Sequence, residues 1–319
     1  MAGNNSLGGF ILLGLTDSPQ AQSLLFGLFL LVYTVTLVGN TGVVLLVGVV
    51  GSLHTPMYFF LAHFSLADIC YSTVICPRLL ADLLAEERTI SFAACVAQFH
   101  GFSFFATAEC HLLAVMAYDR HLAICSPLLY VPIFSGRLCW RLVASSYLLA
   151  LLSATTYTSC VFGGSFCGPN QIDHFFCDAS PVLQLCCSDT RSRELAIFVL
   201  VALNGASTSL VILLSYFSIL CTVLRMSSAQ SRCRAFKTCT SHLVALSLFY
   251  GTLLFMYLQP LSSHGRLDKV VSIFYTVVTP MLNPFIYSLR NKEVKDALGK
   301  CRRRILNHWR RARVVSASK

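Results

Sequence analysis

The sequence predicts an all-α membrane protein: a seven-transmembrane helix bundle with a short amphipathic cytoplasmic helix after the seventh span. Three observations lead there. Of 319 residues, 55% are apolar and only 12% are charged, about half the charge of an ordinary soluble chain, at about 25%. Seven almost uncharged runs each reach the length of about 20 residues that crosses a bilayer. The basic residues gather on one side of those runs. Disorder needs the opposite composition, poor in apolar and rich in charged residues.

The first run, Leu24 to Val50, carries no charge and follows a tail of residues 1–23. It is too long for a signal-peptide core and has no basic flank, the first Lys or Arg being Arg78. No cleaved leader is expected. Further runs lie at 56–80, 93–118, 139–161, 195–224, 238–260 and 268–289. Long uniform runs indicate helices, because barrel strands alternate over about ten residues. The membrane-spanning core therefore covers 24–290, and 291–319 form the remaining tail. In that tail Val294, Leu298, Cys301 and Ile305 make one apolar stripe among Lys and Arg. Such a stripe suits a helix lying on the inner leaflet, with Cys301 a candidate for palmitoylation. Only the second extracellular loop, residues 162–192, is expected to be long enough for structure of its own.

Seven spans put the two ends on opposite sides. With the C-terminus inside, 18 of the 24 Lys and Arg are cytoplasmic, the side that carries the basic excess in membrane proteins. The N-terminus is then outside, which exposes the glycosylation acceptor at Asn4, in Asn4-Asn5-Ser6, to the lumen. The net charge of +10 thus faces anionic lipid, and no nucleic-acid partner is expected. No internal repeat is visible, which weighs against a transporter built from duplicated halves. No nucleophile–base constellation argues for an enzyme.

Fifteen cysteines cannot all pair within one chain. Five are extracellular: Cys95 at the start of the third span, and Cys167, Cys177, Cys186 and Cys187 in the long loop. An oxidising compartment favours disulfides there. With His174, their spacing matches no zinc pattern, so no metal site is expected.

Five strings then converge. Leu53-His-Thr-Pro-Met-Tyr-Phe-Phe-Leu61 enters the second span, and Met116-Ala-Tyr-Asp-Arg-His-Leu-Ala-Ile-Cys-Ser-Pro-Leu-Leu-Tyr130 closes the third. Ser215-Tyr216 lies in the fifth, and Arg234-Ala-Phe-Lys-Thr-Cys-Thr-Ser-His-Leu243 opens the sixth. Pro280-Met-Leu-Asn-Pro-Phe-Ile-Tyr-Ser-Leu-Arg-Asn291 ends the seventh. The chain resembles the odorant (olfactory) receptors, rhodopsin-like G-protein-coupled receptors, from about Asn4 to Asn291. Phe249-Tyr-Gly-Thr252 is similar to the tetrapod-type branch.

The resemblance implies a receptor of the plasma membrane, in sensory-neuron cilia, that binds a small odorant and activates a stimulatory G protein to raise cAMP. It implies a disulfide from Cys95 to Cys177 and a second from Cys167 to Cys187. Four cysteines allow three connectivities, so Cys95–Cys187 with Cys167–Cys177 stays open, and Cys186 is able to replace its neighbour. It also implies that Asp119, Arg120, His121, Tyr216, Asn283, Pro284 and Tyr287 form the switch that couples to the G protein. His121 departs from the family's tyrosine, and Lys237 from a small polar residue.

The chemistry of the residues agrees. An ionisable group within a span marks function by default, since placing it there costs at least ~2.5–3.5 kcal/mol. Asp68 and Glu109 are the two such acids; the resemblance sets them near Asn40 and Asn283 as a site for a sodium ion or a proton. An Arg120 held by Asp119 suits a two-state switch. Pro284 removes one backbone hydrogen bond and invites a kink. The ligand wall is expected among the outer halves of the spans under the long loop. The third span offers Phe102, Ser103, Ala106 and Thr107, and the fifth Leu200, Val201, Asn204 and Gly205. The sixth offers Tyr250, Leu253, Leu254 and Tyr257, and the seventh Ile273 and Thr276. None is charged, which suits a small, neutral, volatile organic molecule.

Overall fold

The structure is a computed structural model that describes residues 9–167, 170–258, 266–288, 294–296 and 298–299. The long helices are α1 (Pro19–Val49), α2 (Pro56–Leu84), α3 (Phe92–Cys125), α5 (Gly136–Phe162), α7 (Arg191–Arg225) and α8 (Ala229–Leu258). Two short helices intervene, α4 (Pro127–Ile133) after α3 and α6 (Ala179–Leu183) in the second extracellular loop. The seventh span is continuous but irregular: α9 (Arg266–Ile273), a π-helical turn (Phe274–Val278) and α10 (Thr279–Ser288). Among the described residues, six helical stretches are long and apolar enough to cross a membrane, the last running from Asp268 to Tyr287. The seventh, α8, has 30 residues and begins nine residues before the expected run, because its first turns carry Arg232, Arg234 and Lys237. Asn4 and Cys301 lie outside the described residues; Val294, ahead of Cys301, is buried against the cytoplasmic core.

Local chemistry sets the helix ends. Prolines stand in the first turns of α1, α2 and α4, where a missing N–H costs nothing. Ser91 Oγ accepts the Ala94 amide at 3.2 Å to cap α3, and Ser135 Oγ accepts that of Leu138 at 3.4 Å to cap α5. Burial runs opposite to that of a soluble protein. Asn40, Asp68, Glu109 and Asn283 are buried, while Leu31, Val38 and Leu45 of α1 and Leu203, Leu214 and Phe217 of α7 face outward. Lipid accommodates that outward face without penalty. Central α3 packs against α2, α5 and α7.

The irregularity of the seventh span follows in part from its prolines. Pro284 has no N–H to donate to the Pro280 carbonyl one turn back. That carbonyl instead accepts Asn40 Nδ2 at 3.0 Å, from α1. Gly39 lets the helices approach, since a Cβ there would sit 3.1 Å from Pro284 Cγ. At the π turn, Thr279 Oγ1 donates to the Phe274 carbonyl at 3.0 Å.

The extracellular end corrects one expectation. The N-terminal tail also has structure: its strand β1 (Phe10–Leu12) is the middle of a three-stranded sheet. It pairs antiparallel with β2 (Thr89–Ile90) and parallel with β3 (Gln171–Ile172). The physical reason is that Phe10 and Leu12, both 1% exposed, seal an apolar cluster with Phe99, Tyr157, Val161 and Val182 around Cys95 and Cys177. Gly14 ends the strand at φ +73°, a conformation that favours glycine.

Two disulfides tie this end together, Cys95 to Cys177 and Cys167 to Cys187, with Cα separations of 5.6 and 5.5 Å. The choice of Cys187 over Cys186 is geometric. Phe166 and Cys186 form an antiparallel bridge, and strand side chains alternate faces. Cys167 and Cys187 therefore share the face opposite Cys186, whose thiol lies 3.8 Å from Arg193 Nη1. A digest of the non-reduced protein should yield Cys95–Cys177 and Cys167–Cys187 peptides by mass spectrometry. Cys186 should accept maleimide without prior reduction; a Cys167–Cys186 peptide would contradict the bridge geometry.

Candidate functional site

At the outer end, Phe102 gathers aromatic rings from three other elements. Its centroid lies 5.7 Å from Tyr71 of α2, 5.2 Å from Phe176 of the loop and 6.2 Å from Tyr275 of the π turn. Ser103 and Thr107, one turn apart on α3, are buried below it. Thr276 is fully buried and donates to the Ser272 carbonyl at 2.6 Å. Leu200 and Val201 pack onto the apolar cluster around the Cys95–Cys177 bridge. Ala106, Gly205 and Ile273 are half-buried. Asn204 spends its amide on α5 and its own helix, with Ser153 Oγ and Tyr157 Oη at 3.2 Å and the Leu200 carbonyl at 2.9 Å. The side chains of Leu253, Leu254 and Tyr257 lie outside the described residues. Tyr250 points inward, where its hydroxyl donates to Thr208 Oγ1 at 2.9 Å and lies 3.3 Å from Cys110 Sγ.

The roof over this region is the loop segment after Asp173. Gln98 of α3 donates to the Val74 carbonyl at 3.3 Å and accepts the Cys177 amide at 3.0 Å. Both ring nitrogens of His174 are buried without a hydrogen-bond partner, and the ring stacks on Phe175 at 4.7 Å. Burial, helped by the nearby Lys269 ammonium, lowers its pKa to about 3. Asp178, held next to Cys177, acts electrostatically on Tyr71 and Tyr275. Burial raises its carboxyl pKa, partly opposed by the Ala179 amide. Sequence reasoning missed Asp178, Tyr71, Phe176 and Tyr275. Phe176 and Asp178 had a signal, because Cys177 between them is tied to the top of α3.

At mid-membrane, Asn283 Nδ2 donates to both oxygens of Asp68 at 3.0 Å. Glu109 comes within interaction range of Asp68, and two carboxyl groups this close are reconciled by one shared proton or by a cation between them. Asn40 is turned away from that bond toward the Thr36 and Pro280 carbonyls. Glu109 Oε1, Asn283 Oδ1 and Asn40 Oδ1 remain buried without partners. These are all oxygens, the donor type that hard cations take.

At the cytoplasmic end, Asp119 and Arg120 attract each other electrostatically but are not among the ion pairs of the described residues. Asp119 Oδ1 accepts Tyr130 Oη at 2.8 Å, because α4 folds back beneath α3. Among the described residues the ion pairs are Arg78–Asp82, Arg88–Asp17 and Lys269–Asp173, all extracellular. Arg120 is 6% exposed and interacts electrostatically with Tyr216, His242 and Tyr287. Tyr216 Oη lies 2.8 Å from His242 Nδ1, and Tyr287 Oη has no hydrogen-bond partner among the described residues. His121 packs on Tyr118 at 6.2 Å, and Lys237 is exposed. Leu128, near the start of α4, is 92% exposed.

The profile of a family described as olfactory receptor matches residues 29–304. Olfactory receptor 5AP2 of Mus musculus is 52% identical over 292 residues, covering 91% of this chain and 92% of its own length. Olfactory receptor 8J2 of Homo sapiens is 50% identical, covering 91% and 92%. Squid rhodopsin, in its crystal structure, superposes with a TM-score of 0.68 at 18% identity, over 91% of this chain and 88% of that one.

The neutral, buried His174 makes the roof sensitive to acid. Unfolded, it takes up a proton near pH 6.5; folded, only near 3. The folded roof should therefore lose stability as pH falls through that window, by about 2 kcal/mol between pH 6.5 and 5. Thermal unfolding of the purified receptor across that range should show the slope. His174→Gln should flatten it, separating the histidine from Asp178, which acts in the opposite direction.

Proposed function

The chain belongs to the olfactory receptor family, and on that premise we propose that it detects small, neutral volatile molecules and activates a stimulatory, olfactory-type G protein that raises cAMP. It is a multi-pass receptor of the plasma membrane with the rhodopsin fold, a signalling protein rather than an enzyme. Its partners are a small ligand and a heterotrimeric G protein.

The observation that carries the coupling is Arg120. A guanidinium this buried, with no carboxylate in ion-pair range among the described residues, is costly unless hydrogen-bond acceptors reach it. A G-protein tail entering between α3, α7 and α8 supplies backbone carbonyl acceptors. Tyr216, His242 and Tyr287 would then rearrange around the guanidinium. Leu128 gives the same partner an apolar anchor, since a leucine so exposed at a membrane protein's inner face gains most by docking into a pocket.

Ligand chemistry follows from the wall. Phe102, Tyr71, Phe176 and Tyr275 offer ring faces, and Ser103, Thr107 and Thr276 offer small hydroxyls. Apolar surface with a few polar groups suits a compact neutral molecule. The oxygen-rich centre at Asp68 and Glu109 suits sodium or a shared proton as a modulator, with Asn283 holding Asp68 in place.

A panel of volatiles screened by cAMP in cells carrying an olfactory G protein tests the reading. Arg120→Ala should abolish the response at unchanged surface level. Leu128→Asp should weaken it by at least about tenfold, roughly the loss of one anchor worth over 1.4 kcal/mol. A full response from Arg120→Ala would refute the coupling. Asp68→Asn should remove any sodium or pH dependence of activation; an unchanged dependence would leave that pair a purely structural role.

A further inference from the structure

Among the described residues, Lys269 makes the polar contact between the segments that flank the extracellular sheet and the seventh span. Lys269, on α9, places its ammonium 2.6 Å from Asp173 Oδ1 of the loop and 3.0 Å from the Gly14 carbonyl of the tail. Its side chain is only 16% exposed, against 64% for Asp173. One cation therefore joins three segments that are far apart in sequence. The other polar fastenings of the tail run to the extracellular loops, and Leu15 adds an apolar contact in the cluster that also holds Ile273 and Val277. Arg88 donates to the Leu13 and Thr16 carbonyls from the first extracellular loop, and backbone hydrogen bonds bind Leu13 to Ile172 and Gly14 to His174.

What lies just beyond Lys269 gives the contact its consequence. Ile273 and the π turn with Tyr275 and Thr276 follow within two turns of helix. π turns have looser hydrogen bonding and recur at functional positions. A ligand pressing on Tyr275 or Thr276 would shift α9, and with it the ammonium that holds the tail and loop down.

We propose that Lys269 is a positioning residue that latches the N-terminal strand and second loop over the ligand site, and that its release governs how fast small molecules enter and leave. The inference rests on the receptor reading for the identity of what passes. Its test needs no agonist.

The probe is a membrane-impermeant methanethiosulfonate carrying a trimethylammonium group, applied from outside to the full-length receptor. Its target is Cys110, a buried free thiol below the wall, bonded to Thr208 and Tyr250. Peptide mass spectrometry gives the labelling rate of each cysteine. Lys269→Met and Asp173→Asn should each speed labelling of Cys110 by about threefold to tenfold, the range for a partly exposed charged contact. Labelling of Cys186, outside the latch, should not change. Lys269→Arg should restore the slow rate. Hydrogen exchange should rise at the Leu13 and Gly14 amides in the same variants. If Lys269→Met fails to reach the surface, Asp173→Asn carries the test, because its side chain is largely exposed. An unchanged Cys110 rate in Asp173→Asn, or faster amide exchange without faster labelling, would overturn the latch. Neither outcome depends on whether any volatile activates the receptor.

Discussion

A single amide holds the centre of the bundle. Asn283 Nδ2 donates to both oxygens of Asp68, so the second and seventh spans meet through a group that hydrocarbon cannot satisfy in their place. Within a bilayer each unmet polar group costs several kcal/mol, and the neighbouring contacts follow from that constraint. Pro284, beside that asparagine, frees a backbone carbonyl, and Asn40 from the first span fills it. Gly39 exists as a glycine so that Pro284 can come close enough. Glu109 reaches Asp68 from the third span. Four spans thus converge on polar groups that none of them could bury alone.

The two ends of the bundle are built on different principles. Outside, the chain uses covalent ties, a small sheet and ion pairs, and all the described ion pairs lie there. Water makes those charges inexpensive and the apolar underside of the sheet valuable. Inside, Arg120 has no ion-pair partner among the described residues, while Asp119 accepts a hydrogen bond from Tyr130. The outer end is closed by contacts within the chain; the inner end keeps an acceptor-seeking cation and an exposed leucine. That asymmetry is what a receptor needs, with the ligand side insulated and the signalling side unfinished.

The seventh span links the two ends. It begins with Lys269 at the lid, passes the π turn beside the aromatic ring set, supplies Asn283 to Asp68 and finishes at Tyr287 near Arg120. Its prolines and π turn interrupt the regular hydrogen-bond ladder, so a displacement at the outer end need not be absorbed by a stiff rod. Helices α1 and α7, which carry much of the lipid-facing surface, have no comparable interruption.

The sequence by itself determined what depends on composition and local pattern. The uniform apolar runs mark the spans, because about 20 apolar residues are the minimum that crosses hydrocarbon, and the five strings identify the family. Acids at Asp68 and Glu109 stand out for the same reason, since a charge in a span needs an explanation. Tertiary structure alone decided which groups meet across distances in sequence. It sent the Asn204 amide to α5 and gave Asp119 to Tyr130. It made Phe10 and Leu12 the seal of a sheet, although a short strand in a tail carries no periodicity to read. It also chose Cys187 over its neighbour, because an antiparallel bridge at Phe166 and Cys186 turns adjacent side chains to opposite faces. No count of cysteines contains that alternation; it arises only once two strands lie side by side.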